Sequence, residues 1–168
     1  MSLHMFMKID GVTGGARDYK HKGWSEVLSW NWGMTSNRKS TQGDDNVKTS
    51  FNEISIVKPT DIDSPDIRLL FAQGKVIPAI EFSITPVVAK RQVEGKYMSI
   101  KLENIVIKSI VTGGSVEDNF FKEHVTLLFA RINFEFTKAD DMKENVKSTE
   151  SHDFHFKWDV AANSEWVQ

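Results

Sequence analysis

From Leu28 to Met34 the chain alternates, with Leu28, Trp30, Trp32 and Met34 on one side and Ser29, Asn31 and Gly33 on the other. A period of two marks a strand whose faces meet different environments. Ile80, Phe82 and Ile84 alternate with Glu81, Ser83 and Thr85 in the same way. Pro78 and Pro86, which bring no N–H to a ladder, are expected to bound that strand or set it near an edge. Met98, Ile100 and Leu102 share one parity, whereas Ile105, Ile107 and Val111 take the other. That break predicts a bulge near Glu103-Asn104 and a bent, barrel-wall strand. Val125 to Phe129 is apolar on both faces and needs a cover for the second. Ile132, Phe134 and Phe136 then alternate with Arg131, Asn133 and Glu135.

One helix, about 64–74, interrupts the β pattern: Ser64 as N-cap, Pro65 at the first helical position, Asp66 in the first turn and Gly74 past the end. Ile67, Leu70 and Phe71 form its apolar stripe. Turns are expected at Asp10-Gly11, Thr13-Gly14-Gly15, Glu94-Gly95 and Thr112-Gly113-Gly114. The polar stretch 35–47 reads as an extended loop, a class often functional in compact domains. A charged linker, 139–153, precedes Phe154, Phe156, Trp158 and Val160, an alternating strand expected to return and pair with the body. The fold class is therefore mainly β: an antiparallel barrel or two-sheet sandwich of about seven or eight strands with one short helix. Residues 1–4 precede a second start at Met5 and are expected to be an appended remnant, leaving 5–168 as one β-barrel domain.

Composition narrows the function. At 168 residues the chain can bury one core. With 21 basic and 23 acidic residues dispersed along it, it lacks the field that draws in phosphate backbones, which argues against nucleic-acid partners. The absence of cysteine removes disulfides, thiolate metal sites and cysteine nucleophiles. No apolar run approaches the roughly 20 residues of a bilayer span, so no direct membrane insertion is expected, and export would need a dedicated machine.

The search for chemistry returns ordinary readings. Neither phosphate-loop nor dinucleotide glycine spacing occurs, and no nucleophile elbow is present. Asp61, Asp63 and Asp66 could suggest a calcium loop, but the hinge glycine and distal glutamate are missing, and acids favour a helix start. His152 and His155, three apart on a strand, fall on opposite faces, and His21 and His124 show no partner and read as surface or strand-end residues. No metal, cofactor or catalytic site is expected, and the chain reads as a non-enzyme. A small ligand- or nucleic-acid-binding β-barrel is the alternative, with Trp24, Trp30 and Trp32 beside Lys20, Lys22 and Lys39 as a stacking platform. The parity that Trp30 and Trp32 share with Leu28 and Met34 favours a core instead.

Bare sheet edges and a two-faced apolar strand are satisfied economically by self-association. Met7-Lys8-Ile9-Asp10-Gly11-Val12, His21-Lys22 and Val27-Leu28-Ser29-Trp30-Asn31-Trp32-Gly33 resemble the Hcp (haemolysin-coregulated protein) family of bacterial type VI secretion systems. The likeness continues through Ser64-Pro65, Gly74-Lys75, Ile77-Pro78, Leu102-Glu103-Asn104-Ile105 and Val125 to Ile132. Phe156 to Val160 is similar to the ending of a subset of members. The resemblance implies a two-sheet barrel with a flanking helix, homohexameric rings and head-to-tail stacking into a hollow tube inside a sheath. A spike protein at the tip and effectors chaperoned in the lumen are the implied partners. The implied location is the bacterial cytoplasm, then release through the apparatus without a signal peptide. By position, 35–47 matches the loop between rings, so Arg38, Lys39, Asp44 and Asp45 are the expected stacking residues, while Leu28, Trp30, Trp32, Gly33, Ser64, Pro65 and Gly74 carry the family signature.

Overall fold

The computed structural model describes residues 2–39, 41, 48–88, 91–92, 97–137 and 153–167. Its strands are β1 (Ser2–Ile9), β2 (Ser25–Glu26), β3 (Ser29–Asn31), β4 (Met34–Ser36), β5 (Thr49–Phe51), β6 (Ile54–Pro59), β7 (Ile77–Val88), β8 (Arg91–Gln92), β9 (Met98–Gly113), β10 (Lys122–Thr137), β11 (Asp153–Asp159) and β12 (Ser164–Glu165). The helix α1 (Ser64–Ala72) lies between β6 and β7. All the strand pairs are antiparallel. A mostly β chain with one short helix is thus what the alternation predicted, although several strands are only two or three residues long.

The expected strand from Leu28 to Met34 is broken, because this segment changes partners as it runs. Ser25 and Glu26 pair with β1, whereas Ser29, Trp30 and Asn31 pair with β6. At the changeover Val27 N–H donates to Met5 O (2.9 Å) and Leu28 N–H to Val57 O (2.8 Å). This handover closes a circuit of strands, β1–β7–β9–β10–β6–β3/β2 and back to β1. Met34, expected in the core, is exposed in β4, which pairs only with β5 in a separate two-stranded sheet. The barrel interior holds Met7, Ile9, Val27, Ile54, Ile56, Ile80, Phe82, Ile100, Leu102, Ile105, Leu127 and Ile132.

β7 runs straight through both prolines, which were expected to bound it or to set it near an edge, so they do not end the strand. Among the described residues Pro86 lies past the last β7–β9 pair and is registered with Leu3. Pro78 falls where the β7–β9 ladder skips a pair, between Ile77↔Ile105 and Ala79↔Glu103, which sets it against Asn104. Asn104 has φ +51°. The same level is skipped between Phe129↔Ile105 and Arg131↔Glu103. Inward parity changes there in all three strands, from Ile77 to Ile80, from Leu102 to Ile105 and from Leu127 to Ile132. The predicted parity break at Glu103-Asn104 is therefore a crease shared by β7, β9 and β10. The register shift is separate, between Thr126 and Leu127, where Lys108 is the extra residue of β9.

Two terminal segments join the sheet. Ser2, Leu3 and His4, expected to stand outside the fold, extend β1 and pair with Val87, Pro86 and Thr85. β11 returns antiparallel to the second half of β10, with Phe134↔Phe156 and Ile132↔Trp158, as its alternation predicted. β6 occupies that same flank of β10 over Lys122 to Leu127, so β10 carries barrel wall in its first half and the tail in its second.

The helix ends as expected and begins differently. Gly74 (φ +60°) follows it, with Gly74 N–H bonded to Phe71 O and Lys75 N–H to Leu70 O, the paired closure that a left-handed residue allows. At the start Asp63, not Ser64, is the N-cap residue, and its side chain caps nothing. Ile67 is buried, Leu70 packs against the core and Phe71 is exposed.

Candidate assembly surfaces and buried polar sites

Alternation on β6 turns Ile54 and Ile56 inward, and the next inward position is Lys58. On β10 the inward row Leu127 and Val125 ends at Glu123, directly opposite Lys58. A lysine inside a barrel must find anions. Lys58 Nζ donates to Glu123 Oε1 (2.9 Å), Asp63 Oδ1 (2.7 Å) and Pro59 O (2.7 Å), and all three charged side chains are fully buried. Asp63 also accepts from Ser25 Oγ, and Ser64 Oγ donates to Glu123 Oε1 (2.8 Å) while accepting from Asp61 N–H. Arg68 Nη2 reaches from α1 to within 3.0 Å of Glu123 Oε2. The acids expected to cap the helix are thus divided, since Asp63 serves the lysine. Burial pushes the Glu123 carboxyl up, but hydrogen bonds from Lys58 and Ser64 and the charges of Lys58 and Arg68 outweigh it and hold it below its ordinary value. The cluster bolts the helix start to the barrel mouth; neither Lys58 nor Glu123 was a sequence candidate, although both stand at inward parity.

His21, expected as a surface or strand-end residue, is buried, because the turn of 18–21 folds it onto the outer face of β1 and β7. Its ring stacks on Phe6 (4.2 Å) and meets Trp24 edge-on (5.0 Å). Nδ1 lies 2.8 Å from Asp18 Oδ1, to which it can only donate, and Nε2 lies 2.9 Å from Ser83 Oγ, a hydrogen bond whose direction follows the tautomer. The order of groups is that of a serine-hydrolase relay. Ser83, however, has no exposed surface, so its oxygen meets no substrate. The arrangement fastens the loop of residues 11–24 to the barrel. His124 and His155 are exposed, and His152 lies outside the described residues. Among the described residues no three metal-ligating side chains converge.

Arg38 and Lys39 are exposed at the outer end of the β4–β5 hairpin, and Asp44 and Asp45 lie outside the described residues. Asn37 N–H donates to Lys48 O, and Lys48 N–H donates to Asn37 Oδ1 (2.9 Å), so the ladder continues one step past the strands. Leu28, Trp30 and Gly33 are half-buried, and Trp32 packs on the core with Nε1–H donating to Asn52 O (3.1 Å). Pro65 is exposed, whereas Ser64 is tied to Glu123. The two-faced apolar segment of β10 divides cleanly: Val125 and Leu127 enter the core, while Leu128 pairs across with Val106 on the open face, both exposed.

A family model described as "Type VI secretion system effector, Hcp" matches residues 6–136. Protein hcp1 of Pseudomonas aeruginosa is 31% identical over 148 residues, covering 86% of this chain and 90% of that protein. Among solved structures, Hcp1 from Salmonella typhimurium superposes with a TM-score of 0.75 at 25% identity, covering 99% of this chain and 100% of that one. A structure described as a type six secretion system protein superposes with a TM-score of 0.83 at 20% identity, covering 98% of this chain and 100% of the other, and supports the fold alone.

Proposed function

The chain belongs to the Hcp family, the tube proteins of type VI secretion systems, and from that premise we propose that its copies associate side by side into six-membered rings that stack head to tail into a hollow tube. The observation that carries this reading is the extent of the likeness: family match and relative together run from the first barrel strand through the last. The molecule's surfaces support it. The exposed Val106–Leu128 pair gains a cover when a second copy docks, and a hairpin standing outside the barrel sheet can reach a neighbouring ring. Arg38, Lys39, Asp44 and Asp45 make the ring-to-ring contact. The tube is assembled in the bacterial cytoplasm with spike and sheath as partners, carries effectors in its lumen and leaves through the apparatus; the chain performs no catalysis. Native mass spectrometry tests the assembly: a dominant species of six protomers is expected, and a monomer at micromolar concentration overturns the reading.

A further inference from the structure

We propose that strand β11, near the C-terminus, sets the posture of the β4–β5 hairpin, with Phe156 and Trp158 as positioning residues acting through an aromatic stack. β4 and β5 run on from β3 and β6 through residues 32–33 and 52–53, where Asn52 N–H donates to Gly33 O, and among the described residues no backbone hydrogen bond joins them sideways to another strand, so side chains supply the hairpin's lateral support. Of its six strand residues only Phe51 is not exposed. The Phe51 ring stacks on Trp158 (5.9 Å, 24° between planes), and Trp158 stacks on Phe156 (6.3 Å, 6°). Phe156 meets Trp32 (6.3 Å), which leads into β4 and also touches Phe129 of the barrel (6.3 Å). Both strands of the hairpin are therefore met at their base by rings from β11, a segment more than 100 residues away in sequence. Trp158 Nε1–H is buried with no acceptor among the described residues, so the indole contributes its ring and not a hydrogen bond.

The coupling stands on these contacts, and its consequence for ring stacking rests on the proposed function, so two readouts separate them. In hydrogen–deuterium exchange on the full chain, Phe51→Ala and Trp158→Ala should quicken exchange at 34–36 and 49–51 by roughly three- to tenfold, the loss of an aromatic pair. Exchange in β1 and β9 should stay unchanged in Phe51→Ala, and Trp158→Phe should match the parent. Where Trp158→Ala loosens the whole barrel, Phe51→Ala decides, since its ring lies outside the core. Unchanged hairpin exchange in Phe51→Ala overturns the coupling, as does a Trp158→Phe hairpin as loose as that of Trp158→Ala. Electron micrographs, with the parent concentrated until its rings stack, should show Phe51→Ala as intact rings with fewer stacks. Faster exchange with undiminished stacking would instead overturn the hairpin's role between rings and leave the coupling in place.

Discussion

Lys58 places a full charge at the end of an inward row that otherwise holds Ile54 and Ile56, and it is tolerated because two buried carboxylates and a carbonyl surround it. Lys58→Met removes the cation shared by both acids, leaving Asp63 only Ser25 and Glu123 only Ser64 and the half-exposed Arg68 among the partners described, which should cost about 3–5 kcal/mol in urea unfolding; a loss under about 1 kcal/mol would show that the acids do not depend on it. Glu123 gives a second test. Its pKa is lower folded than unfolded, so its stabilisation is complete above the ordinary glutamate value of 4.5 and disappears as pH falls through the depressed one. The stability gap between parent and Glu123→Gln should be constant near neutrality and narrow below about pH 4.5, read from denaturation midpoints across pH. At this scale the sequence was half legible. The parity of Lys58 and Glu123 is visible in the alternation, yet their pairing depends on the β6–β10 register, across 65 residues. His21 was not legible, because its burial comes from a loop folding onto an outer sheet face that alternation marks as polar.

Among elements, the crease across β7, β9 and β10 shows where alternation informs and where it misleads. The parity break in β9 is plain in the residues, while the matching break in β7 was hidden by prolines read as marking a strand end or a sheet edge. Asn104 holds the crease in a left-handed conformation that asparagine and glycine tolerate and β-branched residues do not. Asn104→Val should cost about 1–2 kcal/mol and Asn104→Gly close to nothing, by thermal unfolding. The turn glycines differ similarly. A Cβ on Gly14 would strike the backbone of Trp24, which is fixed by its bond to Ala16 N–H, whereas one on Gly114 would strike the half-exposed Phe121 ring, which can swing aside. Gly14→Ala should therefore lower the melting temperature well beyond Gly114→Ala, and equal losses would mean that loop 11–24 yields as readily as the β9–β10 turn.

For the molecule as a whole, the residues proposed for stacking that the structure describes, Arg38 and Lys39, lie apart from the core. Reversing Arg38 and Lys39 to glutamate touches nothing in the core, so rings should keep the parent mass while end-to-end stacking weakens, most at low salt. Equal stacking by light scattering would remove both residues from that contact. The barrel's closure also constrains how the polypeptide matures. β10 borders both β6 and β9, so the circuit cannot shut until residues 122–137 leave the ribosome. Until then the nascent chain presents two long unpaired rims in a crowded cytosol, where they invite the wrong neighbours. Translation that stalls ahead of Lys122 should consequently yield insoluble fragments, while a chain released after Thr137 can shut the circuit and is left with the shorter rim of 131–137 that β11 covers.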